Sequence, residues 1–296
     1  MKYFLVTGGT GQIGAALKRT KVPRDITLIT PGRDELDLIN PESIRTMMQS
    51  RIWDGVIHLA AYTAVDQAEE EVEIAWQLNA VAPAMLAKAA AALDIPILNV
   101  STDYVFSGDL ARPYRETDAI GPKGVYGASK ESGEQAIRLC NPRHLIIRTS
   151  WVFSPYRQNF LKTMLRLAAE RDVINVVADQ VGTPTSADDV AAVILSLMLR
   201  LSSDANTPTG TFHFSNGGEA SWSELAEAIF ECSAALGGPT ARVIPIATAD
   251  YPTRAVRPQN SRLDASAIET AFGVARRPWR LAVQNVVKEI LSGVGS

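Results

Sequence analysis

Two thiols, Cys140 and Cys232, stand alone in a chain of 296 residues, too few for a disulfide framework and too far apart for a paired-cysteine metal motif. That usage predicts a reducing, cytoplasmic compartment. Histidine is as scarce, three in all, and no His, Cys and carboxylate cluster recurs at ligand spacing, so no metal is expected. A surplus of one charge is missing too. The formal net charge is −3, which supplies no global basic field to hold DNA or RNA. Long apolar runs are also absent: the two longest, Val81 to Leu98 and Val190 to Leu201, are short or broken by Lys88, Asp94 and proline, below the ~20 residues a bilayer requires. The opening MKYFLVTGG is stopped by glycines before it reaches the apolar length of a secretory signal. Neither nucleic acid nor membrane is therefore an expected partner. Internal repeats and low-complexity segments are missing as well.

What is present is an alternation of short β-rich runs with longer helical patterns, the signature of βαβ units and a parallel sheet. Strands are expected at Tyr3 to Thr7, Ile26 to Thr30, Val56 to Leu59, Ile97 to Ser101 and Leu145 to Arg148, and helices at Gln12 to Arg19, Pro41 to Gln49, Val72 to Leu93 and Tyr126 to Leu139. Beyond Trp151 the pattern loosens. Helices are expected near Asn159 to Glu170, Ala187 to Leu201, Trp222 to Ala235 and Leu281 to Leu291, with strands near Val173 to Val177, Thr211 to Phe214 and Arg242 to Ile246 and a polar linker from Ser202 to Gly210. The reading is an α/β protein: a Rossmann-type, doubly wound parallel sheet over residues 1–150, and a smaller C-terminal α/β substrate-binding lobe over 151–296, some segments of which return to the first domain.

Directly after the first strand comes Gly8-Gly9-Thr10-Gly11-Gln12-Ile13-Gly14. Glycine at 8, 11 and 14 permits a tight turn, backbone approach to a pyrophosphate and close packing of helix on strand, while the helix N-terminus offers oriented N–H groups to the anion. A strand before and a helix after make this a dinucleotide site rather than a bare turn. At the end of the second strand, where a carboxylate selects the ribose hydroxyl of NADH, the chain has Thr30-Pro31-Gly32-Arg33. Arg33 is either a partner for the 2′-phosphate of NADPH or a solvated loop charge, so NADPH or NADH is the expected cofactor. Asp37 and Leu38 contact the adenine end, unless Asp37 only starts the helix at Pro41.

Tyr126-Gly127-Ala128-Ser129-Lys130 opens a helix, which puts Tyr126 and Lys130 one turn apart on one face. Hydride reduction of a ketone leaves an alkoxide that needs a proton, and a tyrosine beside an ammonium and the positive charge developing on the nicotinamide is expected to acquire a lowered pKa and exchange protons near neutrality. The order, glycine loop first and this pair several βαβ units later, carries the assignment that the spacing alone does not. Thr102 sits at the C-terminal end of the fourth strand, where ligands bind in open α/β sheets, and is read as the hydroxyl that orients the carbonyl. Asp103 is a substrate contact or a turn residue. His58 is expected to be a buried, hydrogen-bonded side chain rather than a catalyst.

With these residues in place the chain resembles the extended short-chain dehydrogenase/reductases and, within them, the dTDP-4-dehydrorhamnose reductase family over almost its whole length. The stretches that carry the likeness are TGGTGQIG, AAYTAVDQAE, STDYVFSG, VYGASKESGE, RTSWVF, NFLKTMLRLA, DQVGTPTSADD and RPQNSRLD. The resemblance implies reduction at C4 of a dTDP-linked 4-keto-6-deoxyhexose. It also implies that Gly11, Gln12 and Ile13 meet the pyrophosphate, that Ala60, Ala61 and Thr63 line the cofactor, that Tyr126 and Lys130 are the catalytic pair, and that Thr102, Asp103 and Trp151 touch substrate. Asn159, Gln180 and Arg257 are candidates for gripping the nucleobase. Tyr104 stands where related dehydratases carry a second acid, which argues against water elimination. Ala15 replaces the Glu of magnesium-bridged dimers, and the chain is expected as a monomer or homodimer. Two other readings are an enzyme acting on a different nucleotide-linked 4-keto sugar, as reductase or epimerase, and a regulatory subunit like that of methionine adenosyltransferase. The second is disfavoured by the intact Thr102, Tyr126 and Lys130.

Overall fold

Short runs rich in β-branched and aromatic residues pair side by side because both their faces are covered by helices, as parallel sheets require. In the computed structural model, which describes residues 1–293, the first half contains β1 (Lys2–Thr7), α1 (Gln12–Arg19), β2 (Ile26–Ile29), α2 (Pro41–Gln49), β3 (Gly55–His58), α3 (Val65–Ala68), α4 (Val72–Trp76), α5 (Ala82–Ala92), β4 (Ile97–Thr102), α6 (Val125–Cys140) and β5 (His144–Thr149). The second half contains β6 (Val152–Phe153), α7 (Phe160–Ala168), β7 (Val173–Val177), β8 (Val181–Gly182), β9 (Thr185–Ser186), α8 (Ala187–Ser203), β10 (Gly210–His213), β11 (Ala220–Ser221), α9 (Trp222–Ala234), β12 (Arg242–Ile246), α10 (Ser266–Phe272) and α11 (Trp279–Leu291). Residues 294–296, the end of the expected second lobe, lie outside the described residues.

Six strands form one parallel sheet in the order β10-β5-β4-β3-β1-β2. The order turns between β1 and β3, which opens a crevice at the carboxyl ends of those strands. One face is covered by α1 and α8, with Leu17, Val190, Ile194 and Met198 buried against Phe4, Ile57 and Leu98. The other face is covered by α2, α5 and α6 through Ile44, Leu86 and Ile137. Each fully buried aliphatic side chain contributes about 1.5–3 kcal/mol, so these two layers hold the strand ends in a fixed relation. A separate apolar cluster joins α7, α9 and α11 to the parallel pair β7 and β12.

Residues 187–213 belong to the sheet domain in space although they follow residue 150. Helix α8 packs on α1, and β10 extends the sheet by pairing with β5. Local capping explains several helix starts. The Asn40 side chain accepts from Glu42 N ahead of Pro41, and Ser221 with Glu224 forms a capping box on α9, each such cap contributing roughly 1 kcal/mol. The continuous helix expected from Val72 to Leu93 is interrupted. A π-helical turn at Gln77–Val81 separates α4 from α5, because one extra residue in the turn brings Asn79 inward, a placement that apolar periodicity does not encode.

Candidate active site

The carboxyl ends of β1, β3, β4 and β5 open onto a cavity of about 730 Å³ walled by Gly8, Gly11, Gln12, Ile13, Gly14, Ala60, Ala61, Thr63, Thr102, Asp103, Tyr126, Lys130 and Trp151, among others. Thirteen residues singled out from the sequence thus meet in one place. The glycine loop suits a dinucleotide because it exposes backbone. Gly8 has a φ of 71°, and a Cβ there would lie 2.5 Å from Ala60 N. At Gly14 a Cβ would lie 2.3 Å from Gly8 O and 2.6 Å from Gly9 Cα. Gly14→Ala should therefore force the loop off α1, lower stability by about 1–3 kcal/mol and weaken nicotinamide-dinucleotide binding. A thermal melt and a binding titration check this, and a variant that matches the parent in both would remove Gly14 from the site.

The loop is held from the far side of the chain. Ser154 Oγ donates to Gln12 Oε1 at 2.7 Å, and Asn159 Nδ2 donates to the same oxygen at 3.0 Å. Asn159 also caps α7 through Lys162 N. Its amide thus braces the glycine loop and the start of α7. Under the sheet, Thr7 Oγ1 and His58 Nδ1 lie 2.7 Å apart. Burial, with Lys130 nearby, pushes the His58 imidazole down to about 3, so it is a neutral structural group.

On α6, Tyr126 and Lys130 face the cavity one turn apart. Lys130 Nζ donates to Val100 O at 2.8 Å, and burial pulls its pKa down to about 8 against the opposing pull of Glu134. Burial pushes the Tyr126 phenol up to about 12, while the facing Thr102 hydroxyl draws it the other way. Lys130 is directed at a carbonyl of β4, and desolvation governs Tyr126. Thr102 Oγ1 donates to Asp103 Oδ1 at 3.1 Å and accepts from Tyr104 N at 3.2 Å. The buried Asp103 carboxyl is pushed up to about 6 by desolvation, which the Ser261 and Thr102 side chains partly oppose. Asp103 is both a cavity wall and the first residue of a 3-10 turn.

Asn79 was not singled out from the sequence. From the π turn its Oδ1 accepts from Tyr62 N at 2.8 Å, and its Nδ2 donates to Ser129 Oγ at 3.0 Å. It ties the loop after β3 to the helix that carries Tyr126. A Cβ at Gly133 would stand 2.1 Å from the Asn79 carbonyl oxygen, so this contact needs glycine on α6. The one available signal is an isolated Asn inside an alanine-rich helical pattern.

A second cavity, about 680 Å³, lies on the lobe side and shares Tyr104 and Trp151 with the first. Trp151 has a φ of 48°, stacks on Trp222 at 3.5 Å and 8°, and presses against Gly182. Arg257 lines this second cavity. Its Nη2 donates to Asp66 Oδ2 at 2.5 Å, and its buried Nη1 has no partner among the described residues. Gln180 lines neither cavity: it accepts from Trp222 Nε1 and donates to Thr248 Oγ1, so it positions the stacked indole. Three cofactor candidates also fall outside the two cavities. Arg33 is exposed on the loop after β2, Asp37 Oδ1 caps the turn at Ile39 N, and Leu38 packs on the α2 side of the sheet.

Comparison with known proteins agrees with this architecture. The family model described as RmlD substrate binding domain matches residues 1–292. A dTDP-4-dehydrorhamnose reductase of Sinorhizobium fredii is 44% identical over 287 residues, 97% of each chain. A crystal structure of a dTDP-4-dehydrorhamnose reductase from Clostridium acetobutylicum superposes with a TM-score of 0.91 at 33% identity, covering 98% of this chain and 99% of the other. One from Bacillus anthracis, in complex with NADP, superposes with a TM-score of 0.90 at 33% identity, covering 98% and 100%. A glycine loop and a Tyr–Lys helix on one cavity wall, together with likeness over the whole length, show that the chain belongs to the dTDP-4-dehydrorhamnose reductase family.

Proposed function

We propose that this chain uses NADPH or NADH to reduce the C4 keto group of dTDP-4-dehydro-L-rhamnose, giving dTDP-L-rhamnose. The observation that carries the reading is the placement of the Thr102 and Tyr126 hydroxyls where the glycine-loop cavity meets a second cavity through Tyr104 and Trp151. A dinucleotide fills one arm and a nucleotide sugar the other, and the reacting carbon lies at the junction.

The glycine loop, Ala60, Ala61 and Thr63 would hold the cofactor, which supplies hydride when bound. The chain's own work is to bind, to orient and to move one proton. Tyr126 keeps its proton at neutral pH because burial raises its pKa, and a neutral phenol is the form a reduction needs. It donates that proton to the C4 oxygen as negative charge builds there. Thr102 turns its hydroxyl from Asp103 to the same oxygen and fixes the carbonyl plane. Lys130, charged below about 8, places a positive field beside the developing alkoxide. In the lobe-side arm, the unpartnered Arg257 Nη1 faces the substrate's diphosphate, with Asp66 holding the guanidinium in place.

The deciding experiment incubates the purified chain with dTDP-4-dehydro-L-rhamnose and either reduced nicotinamide dinucleotide, following cofactor oxidation and identifying the product by NMR. One equivalent of cofactor consumed per dTDP-L-rhamnose formed is expected. Sugar rearrangement without net consumption would identify an epimerase, and no turnover with either cofactor would return the chain to a non-catalytic reading. Cofactor preference is tested at Arg33. Arg33→Ala should raise KM for NADPH by about three- to tenfold, the span of a solvent-weakened Arg–phosphate contact, and leave KM for NADH unchanged. Equal changes would make Arg33 a solvated loop charge.

A further inference from the structure

We infer that Arg157 is an anion contact for the dinucleotide's pyrophosphate, carried by a strap that crosses the glycine loop from the far half of the chain; this rests on the dinucleotide reading proposed above. The glycine loop brings N–H groups but no charge. Helix α1 has its basic residues, Lys18 and Arg19, in the last turn; the Lys18 side chain reaches back to Gly9, where its Cε would lie 3.2 Å from an added Cβ, but it does not wall the glycine-loop cavity. Among the described residues, two cationic side chains wall the glycine-loop cavity, Lys130 and Arg157. Lys130 is held on the Val100 carbonyl, beneath the Tyr126 end. Of these two, Arg157 is the one at the glycine-loop end, bonded to Thr10 O.

The strap is built for this position. Residues 154–159 make three side-chain bonds to the loop: Ser154 Oγ and Asn159 Nδ2 donate to Gln12 Oε1, and Arg157 Nε donates to Thr10 O at 2.6 Å. That last bond anchors the guanidinium through Nε at the cavity wall, with no carboxylate paired to it among the described residues. The backbone adds an independent sign. Arg157 has a φ of 51°, a left-handed conformation that L side chains adopt rarely and that glycine adopts freely. Strained residues of this kind persist where the surroundings over-determine them, and they cluster at ligand clamps. A turn needing only that φ would be better served by glycine, so the side chain is the reason the strain is kept.

The test is a comparison of the full-length chain with Arg157→Gly and Arg157→Lys by calorimetric titration with NADPH and with adenosine 2′-monophosphate, which lacks the pyrophosphate, each at low and moderate salt. Thermal melts accompany the titrations. Arg157→Gly should melt at or above the parent temperature, since it relieves the left-handed backbone. Its Kd for NADPH should rise at least about tenfold, the scale of a lost charge-assisted contact, with a flatter salt dependence. Arg157→Lys should recover part of that affinity. Adenosine 2′-monophosphate should bind parent and variants alike. If the parent binds NADPH and Arg157→Gly binds it equally well, the strap contact is wrong while the dinucleotide site stands. An equal loss for adenosine 2′-monophosphate would move Arg157 to the ribose phosphate and also overturn the proposal. A parent chain that binds neither NADPH nor NADH would overturn both readings.

Discussion

Tyr126→Phe is expected to keep the fold and nicotinamide binding while lowering kcat by about 10²- to 10⁴-fold, the range spanned by loss of a positioned proton donor. The substitution is clean because the ring stays. The Tyr126 ring meets Tyr104 edge-on with centroids 5.5 Å apart, and phenylalanine preserves that contact. Only the hydroxyl that faces Thr102 disappears. A change in kcat with little change in KM would mark an interaction made in the transition state. The parent should also lose its rate of reduction as pH rises through about 8, where burial against the opposing Glu134 carboxylate makes Lys130 shed its charge. Steady-state kinetics across pH provide both readings. A variant with near-parental kcat would remove Tyr126 from proton transfer.

Arg148→Ala is expected to cost about 3–5 kcal/mol of stability, because it breaks a buried ion pair by removing one partner. Arg148 on β5 and Glu134 on α6 have side chains only 2% and 0% exposed, with Nη2 and Oε2 2.6 Å apart. The guanidinium also lies over the Phe106 ring at 5.0 Å. Removing it leaves Glu134 a buried carboxylate still paired with Arg138 at 3.0 Å. The melting temperature should fall by roughly 6–20 °C. Glu134→Leu combined with Arg148→Met should recover most of the loss, since an apolar pair of similar volume removes both charges together.

The pH dependence of that deficit has a definite sign. Burial pushes the Glu134 carboxyl up, but its bonds to Arg148 outweigh this and hold it below the ordinary carboxylate range. A depressed carboxylate contributes stability above its unfolded pKa and loses it as pH falls through the folded value. The gap between parent and Arg148→Ala should therefore be largest at neutral pH and should narrow on acidification, as the variant's Glu134 takes up a proton. Chemical denaturation at neutral and mildly acidic pH measures this. A gap below about 1 kcal/mol at neutral pH, or one that widens on acidification, would mean the pair is not what ties α6 to β5.

What could be read from the chain ahead of its structure was whatever is encoded within one turn or one strand. The glycines at 8, 11 and 14 answer to a local backbone need, and Tyr126 and Lys130 share a face because four residues span a helical turn. The ends of α1, α2, β7 and β12 follow from capping and periodicity in the same way. At Asn159 and Gln180, read as nucleobase candidates, the polar groups bond within the fold. Arg33, Asp37 and Leu38, expected at the cofactor, do not wall the glycine-loop cavity or the lobe-side cavity.

Taken alone, the sequence determined the parallel α/β sheet, the glycine loop at its switch point and the phenol–ammonium pair on one helix, because each depends on neighbours a few residues away. Only the tertiary structure decided that β10 completes the sheet, that Asn79 reaches Ser129 from a π turn, and that Trp151 stacks on Trp222 between two cavities. It also decided how deeply Tyr126 is buried, which pushes its phenol up. Those outcomes depend on which surfaces are buried against each other between residues far apart in the chain or on how much water a packed wall excludes, and neither quantity is written in any short stretch of chain.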